Sequence, residues 1–283
     1  MPTLRITVLD ENTAGGRDVL AEHGLAFWLE SASAKVLFDT GRTALVLNHN
    51  ADRLGVDVSQ ADAVVISHGH ADHTGGLASV LYRSPGARVV LHPGASARRY
   101  TRHGNEVRQI GMPQMAADLI EDEDHRLVSS AGPSEVIPGL FVTGSVPRHT
   151  DYEDTGGDFY LDLECTRPDP IADDQAAFFD TPEGTVIVLG CAHAGVINTL
   201  NHVRMLTGGR PIQALIGGMH LHAASPERIG RTIDALREAA VTTIATAHCT
   251  GFEAAARIWR DLPGRHVQCR VGSEFEFEVS GAG

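Results

Sequence analysis

The stretch ISHGHADHTGG, residues 66–76, places three histidines and an aspartate within six positions. These residues are His68, His70, Asp72 and His73, and an apolar segment typical of a buried strand precedes them. Histidine is the commonest protein metal ligand, and a carboxylate joins it readily on a borderline metal such as zinc. A histidine in an ordinary surface loop has no reason to recur at this spacing. The stretch therefore predicts a metal centre.

Five apolar segments of strand type end in a residue that can bind metal or carry a proton. The residues that follow these segments are Asp39, His68 with His70, Cys191 with His193, His220, and His248. Ligands of layered α/β folds gather outside the carboxyl ends of strands. We therefore expect these side chains to meet at one edge of the fold.

The bulk composition favours an ordinary globular protein. The chain has 283 residues, of which 42% are hydrophobic and 21% charged. A formal net charge of −13 disfavours nucleic acid as a partner, and no apolar run has the length of a membrane span. The first residues carry no signal-peptide pattern, so we expect a cytoplasmic protein with a small-molecule substrate and four free thiols. The oligomeric state stays open.

The order of the elements indicates fold class. Strand patterns first follow one another in meanders and later alternate with helical patterns, which predicts a layered α/β or α+β domain. Residues 98–170 are the least regular part, and we expect a loop-rich insertion there rather than a separate domain. HVQCRVGSEFEFEV, residues 266–279, has the alternation of a single final strand.

The motif His68-x-His70-x-Asp72-His73 resembles that of the metallo-β-lactamase superfamily. The segments SHGHADHTGGL, DDQAAFF, GCAHAGVINTL, IGGMHLH and HCTG are similar to its branch of dihydropterin–ribofuranosylaminobenzene 5'-phosphate synthase-like proteins. The resemblance covers most of the chain. It implies a single domain over residues 1–283 that forms a four-layer αββα sandwich.

The resemblance also implies a ligand set for one or two divalent ions, zinc first, with manganese or iron as alternatives. His68, His70 and His193 would hold the first ion, and Asp72, His73 and His248 the second. Many superfamily members bridge the two ions with an aspartate at the position of Cys191. Three alternatives follow: a thiolate ligand, a bridge formed by hydroxide alone, or one weak site. From the sequence we favour a Cys191 that does not bind metal.

Several other side chains are candidates for the site. We expect Asp39 to orient a ligand histidine, with a simple turn residue as the alternative. His220 could act in catalysis, bind the metal or face the substrate. Arg148 could hold a substrate phosphate or carboxylate with its bidentate guanidinium, and Glu153 lies in the same polar stretch. The alternative for Arg148 and Glu153 is that they lie in a solvent-exposed loop and contact no substrate.

These features predict a metal-dependent hydrolase in which metal-bound hydroxide attacks a small-molecule phosphoester or phosphodiester, with Asp72 and His220 as catalytic residues. The alternatives are a carboxylic ester, lactone or thioester hydrolase with the same centre, a condensation of the kind that the branch's name implies, and a non-catalytic metal-containing protein that binds a ligand. The sequence has no G-x-S-x-G motif and no P-loop, so covalent serine chemistry and nucleotide-driven chemistry lack support.

Overall fold

Two seven-stranded β-sheets lie face to face, and helices cover the outer face of each. The computed structural model describes residues 3–122 and 126–279. In chain order the elements are β1 (Thr3–Asp10), β2 (Ala26–Glu30), β3 (Lys35–Phe38), α1 (Ala44–Arg53), β4 (Ala63–Val65), α2 (Ala71–Thr74), α3 (Leu77–Arg83), β5 (Arg88–Leu91), β6 (Tyr100–His103), β7 (Glu106–Gln109), α4 (Gln114–Asp122), β8 (Leu127–Ser129), β9 (Ser134–Ile137), β10 (Leu140–Val142), β11 (Phe159–Tyr160), β12 (Ala176–Thr181), β13 (Gly184–Leu189), α5 (Val196–Leu206), β14 (Ile212–Gly218), α6 (Pro226–Glu238), β15 (Thr243–Ala247), α7 (Phe252–Asp261), β16 (His266–Gln268) and β17 (Glu274–Glu278).

Strand direction brings the functional segments to one edge of the sandwich. The first sheet has the order β17-β1-β2-β3-β4-β5-β8, and its strands from β3 to β8 are parallel. The second sheet has the order β16-β15-β14-β13-β12-β10-β9, and its strands from β13 to β16 are parallel. β1 also runs in the direction of β3, because β2 is antiparallel to both.

Side chains point alternately to the two faces of each strand, and the buried apolar residues therefore fall into three packing layers. In β2, Phe27 and Leu29 face the core between the sheets, whereas Trp28 faces the helices of the first sheet. In β13, Val188 faces the same central core and Ile187 faces the helices of the second sheet. Because both faces of each sheet are covered, these strands are apolar on both sides. The predicted four-layer αββα sandwich is confirmed.

The prediction of a single strand over residues 266–279 was wrong. β16 pairs in parallel with β15 in the second sheet, and β17 pairs antiparallel with β1 in the first. Between them the chain crosses from one sheet to the other through a turn at Gly272, whose φ is +86°. Alternation reports which residues are buried, but it does not report which sheet buries them.

Residues 98–170, where we expected a loop-rich insertion, contain strands of both large sheets. β8 extends the first sheet, and β9 and β10 extend the second. β6, β7 and β11 form a separate three-stranded sheet, which we call the flap sheet. No helix among the described residues has both the length and the apolar character needed to cross a membrane.

Candidate metal centre

Three buried histidines form the first ligand cluster. Ring nitrogens of His68, His70 and His193 lie within 4.8 Å of one another, and His68 Nε2 is 3.0 Å from His70 Nδ1. Two ligand nitrogens on one tetrahedral zinc ion, with bonds of about 2.0–2.1 Å, stand about 3.3 Å apart. The loop after β4 and the loop after β13 thus bring together the first expected ligand set.

Hydrogen bonds on the outer ring nitrogens decide which nitrogen faces the cluster. Ser67 Oγ donates to Asp39 Oδ2 at 2.7 Å and therefore accepts from His68 Nδ1 at 2.9 Å. His193 Nδ1 donates to the Thr155 carbonyl at 2.8 Å. Both rings then present an unprotonated Nε2, which is the form that binds a metal ion.

Asp39 orients two parts of the site at once. Its Oδ1 accepts the Ser67 amide at 2.7 Å, and its Oδ2 accepts His73 Nδ1 at 2.7 Å. Asp39 is fully buried and has a φ of +59°, which few residues other than glycine adopt. This geometry matches the orienting role expected for Asp39.

The second expected ligand set lies beside the first. Asp72 Oδ2 is 3.3 Å from His248 Nε2, and the ring centroids of His73 and His248 are 5.1 Å apart. His73 Nε2 lies 3.1 Å from Cys191 Sγ. The Cys191 thiol also lies within 4.8 Å of ligand atoms of His193 and His248, so it stands between the two sets.

Burial keeps the histidines of the first cluster neutral. It lowers the pKa of His70 to about 3, and it lowers the pKa values of His68 and His193 well below the ordinary range. His193 Nε2 has no hydrogen-bond partner among residues 3–122 and 126–279. An unpaired buried polar atom costs roughly 1–3 kcal/mol. Together, the neutral imidazoles, the Cys191 thiol and the Asp72 carboxylate offer the nitrogen, sulfur and oxygen ligands that a divalent ion such as zinc accepts.

His220 lies in the wall of the same site. Its ring centroid is 4.2 Å from that of His193, and its backbone amide donates to Cys249 Sγ at 3.3 Å. Neither ring nitrogen finds a partner within the described part of the chain. His220 also has a φ of +45°. Such a conformation at a buried, unpaired histidine is typical of a functional position.

The flap sheet and the loop before β11 cover a cavity of about 630 Å³ at the cluster. Phe159 packs its ring 5.1 Å from His70 and 5.4 Å from His193, measured between centroids. Gly156 approaches His220 so closely that a Cβ would stand 1.9 Å from the imidazole Cδ2. The close approach and a φ of +83° both require glycine at position 156.

Arg148 and Glu153 lie away from this cavity, which corrects the expectation that they contact a substrate there. Arg148 is exposed, donates to the Pro170 carbonyl at 2.6 Å, and lines a separate cavity of about 280 Å³. Glu153 accepts the amides of Ile197 and Asn198, each at 2.9 Å. Its carboxylate therefore serves the first turn of α5.

Asn12, His23, Arg42 and Arg99 are among the residues of the site environment that were not predicted from the sequence. Asn12, His23 and Arg42 line the cavity, and buried Arg99 pairs with Asp173, whose Oδ2 accepts the Gly69 amide at 2.8 Å. Asn12 follows β1, which runs parallel to β3, so the strand-end criterion could have found it. The other three lie in no recognisable motif.

Comparisons with known proteins agree with this geometry. A family profile described as the metallo-beta-lactamase superfamily matches residues 20–206. The chain is 30% identical to 7,8-dihydropterin-6-methyl-4-(beta-D-ribofuranosyl)-aminobenzene-5'-phosphate synthase of Methanocaldococcus jannaschii, over 97% of each chain.

Solved structures show the same fold. Tm1679, described as a metal-dependent hydrolase of the beta-lactamase superfamily, has a TM-score of 0.80 and 29% identity, and the match covers 98% of this chain and 99% of that one. A diphosphatase from the PhnP family has a TM-score of 0.57 and 15% identity over 98% of each chain, a likeness of fold alone. The profile match and the 30% identical relative together show that the chain belongs to the metallo-beta-lactamase superfamily.

Proposed function

We propose that the protein is a metal-dependent hydrolase of a small-molecule phosphoester or phosphodiester. The observation that carries this proposal is the presence of two arginines in the cavity wall, beside the histidine cluster. Arg42 and Arg102 line the cavity together with the histidine cluster, although the whole chain has a net charge of −13. Arginine suits phosphate because its planar guanidinium can donate two parallel hydrogen bonds.

The ligand clusters suggest two divalent ions, with zinc as the first candidate and manganese or iron as alternatives. When bound, such a pair would activate water at neutral pH and neutralise charge on the phosphoryl group. Residues of the chain would orient the ligands, limit the access of water and bind the substrate. Asp39 holds His73 in orientation, Phe159 limits access of water, and Arg42 would bind the anionic substrate. We also propose that the enzyme acts in the cytoplasm.

The first test concerns Asp72. We expect Asp72→Asn to lower kcat on bis-p-nitrophenyl phosphate at least about a hundredfold at saturating metal, because one well-placed charged group is removed, while KM changes little. The matched control is Asp52→Asn, an exposed aspartate on α1. Circular dichroism and elemental analysis establish folding and metal loading, with one to two equivalents expected in the parent. A folded, loaded Asp72→Asn variant with more than about half the activity would refute the mechanism.

A second test concerns substrate charge. Arg42→Ala should raise KM for the phosphodiester about tenfold or more, because a hydrogen bond to a charged group contributes roughly 1.5–3 kcal/mol. KM for p-nitrophenyl butyrate, which is uncharged, should stay unchanged. Arg53→Ala on α1 is the control, since Arg53 is exposed and lies 3.9 Å from Asp18. Preferred turnover of the butyrate or of a lactone would instead favour a carboxylic ester hydrolase.

The named synthase favours a second candidate, a condensation that involves a phosphate-bearing small molecule. The alignment with that relative covers 97% of each chain. Turnover in ¹⁸O-labelled water separates the candidates, because hydrolysis adds solvent oxygen to a product and condensation does not. Absence of turnover with every substrate class would favour a non-catalytic protein that binds a ligand.

A further inference from the structure

We propose that Asn12 gives two neighbouring histidines opposite roles: His248 binds metal, and His23 donates a hydrogen bond that positions Asp72. The inference rests on the metal centre of the proposed function. It assigns a positioning residue, His23, and a residue that selects the histidine tautomers, Asn12.

The two imidazoles contact the same two side chains. Asn12 Oδ1 lies 2.8 Å from His248 Nδ1, and Asn12 Nδ2 lies 3.3 Å from His23 Nδ1. On the far side of both rings, each Nε2 lies 3.3 Å from Asp72 Oδ2. The ring centroids are 4.7 Å apart. His248 is buried, whereas 68% of the His23 side chain is exposed on the rim of the cavity.

The two ends of the Asn12 amide differ chemically. The amide oxygen only accepts and the amide nitrogen only donates. His248 Nδ1, which faces the oxygen, must therefore carry the ring proton, and its Nε2 is free to bind metal. His23 Nδ1, which faces the NH₂ group, must accept. In neutral His23 the proton then lies on Nε2, where it is donated to Asp72.

Geometry alone would also allow His23 to serve as a third ligand, since its ring nitrogen lies within 4.8 Å of ligand atoms of Asp72 and His248. Ligation through Nε2 would place the His23 proton on Nδ1, directly against the Asn12 NH₂ group. Rotating the amide would remove that clash, but it would then set the NH₂ group against His248. Asn12 can therefore support metal ligation by only one of the two histidines.

Burial decides which of the two histidines binds metal. The backbone amide of His248 donates to Glu11 Oε1 at 2.7 Å. This hydrogen bond holds the main chain of His248 in place and so limits the movement of its buried ring. His23 lies in a loop between β1 and β2. Its N–H would occupy one lone pair of Asp72 Oδ2 and leave the remaining lone pairs of the carboxylate for the metal ion.

Long-range ¹H–¹⁵N spectra of the zinc-loaded protein test the assignment directly, because they distinguish histidine tautomers. We expect His23 to carry its proton on Nε2, and we expect His248 to carry it on Nδ1 with a zinc-shifted Nε2. A zinc-shifted His23 Nε2, or a His248 Nε2 that does not respond to zinc, would overturn the proposal.

Variants supply a second readout, which is the affinity of the protein for the more weakly bound zinc ion, measured by competition with a chelator. His23→Leu should weaken it about tenfold, and His23→Gln, which keeps a donor, should restore it to within about threefold of the parent. His49→Leu is the control, because the His49 ring donates to the Asp18 carbonyl at 2.9 Å and not to Asp72. Equal zinc affinity in the Leu and parent proteins would overturn the positioning role. Neither readout needs turnover, so a zinc-loaded protein without phosphodiesterase activity would count against the proposed function alone.

Discussion

At the scale of the residue, Cys191 is the side chain whose chemistry matters most for the metal count. Its thiol lies 3.1 Å from His73 Nε2 and close to ligand atoms of His193 and His248. Burial raises the pKa of this thiol, with the neighbouring Cys249 as a further cause. A thiol in such surroundings stays protonated unless a cation replaces the proton. The position of the thiol between the two ligand sets leads us to expect that Cys191 binds metal as a thiolate, in place of the non-ligating thiol favoured from the sequence.

The test is Cys191→Ser, which we expect to lose about one equivalent of zinc, since a hydroxyl group is a much poorer ligand for a borderline-soft metal. Cys269→Ser is the matched control, because Cys269 is a buried thiol in the core between the sheets. Elemental analysis after desalting gives the count. If Cys191→Ser keeps the parent stoichiometry, the thiol is not a ligand.

At the scale of the element, the start of α5 depends on a side chain from another segment. The residue before this helix is Gly195, which offers no side-chain cap, and Glu153 supplies the acceptors for two of the first amides. Burial raises the pKa of Glu153. The two accepted amides and the helix dipole favour its charged form. His193 lies just before α5, so this contact also steadies a predicted metal ligand.

We expect Glu153→Ala to lower the free energy of unfolding by about 1–3 kcal/mol, because buried amides lose their acceptor. Glu153→Gln should lose less, since its amide oxygen can still accept one of the two bonds. Urea unfolding monitored by circular dichroism measures both, and Glu238→Ala at the exposed end of α6 is the control. A loss below about 0.5 kcal/mol in Glu153→Ala would argue against this role.

At the scale of the whole molecule, the metal cluster joins the two halves of the sandwich. His68 and His70 follow a strand of the first sheet, whereas His193 and His248 follow strands of the second. A bound ion would therefore add a direct link between segments of the two sheets that hydrogen bonds already join, such as the Gln175 amide to the Ser67 carbonyl at 3.0 Å. Ligand binding of this kind stabilises the folded state by an amount that grows with the logarithm of the ligand excess over the dissociation constant.

Removal of the metal should consequently lower the thermal midpoint. At a free zinc concentration of about 100 times the dissociation constant, the stabilisation is about 2.7 kcal/mol, which for a chain of this size corresponds to about 5 °C. Calorimetry with and without chelator measures the shift, and restored zinc should reverse it. The His68→Ala variant should show a much smaller shift. Identical midpoints for the loaded and chelated parent would contradict a metal that links the sheets.

Local patterns in the sequence were enough to predict the αββα fold and the candidate metal centre. Apolar periodicity located most strands, and Asp39, His68, His193, His220 and His248 could be identified as strand-end residues. This succeeds because parallel strands place their carboxyl ends at one edge, so a local pattern predicts a spatial cluster.

Contacts between distant residues could not be predicted from the sequence, both around the cluster and at the start of α5. Glu153 and Asn198 are 45 positions apart, and Asn12 and His248 are 236 positions apart. Contacts between residues so far apart leave no local pattern in the sequence. In addition, a carboxylate that accepts the first amides of a helix and one that binds a substrate look alike in sequence. The crossing between β16 and β17 escaped prediction for the same reason, since alternation records burial and the choice of sheet depends on distant partners.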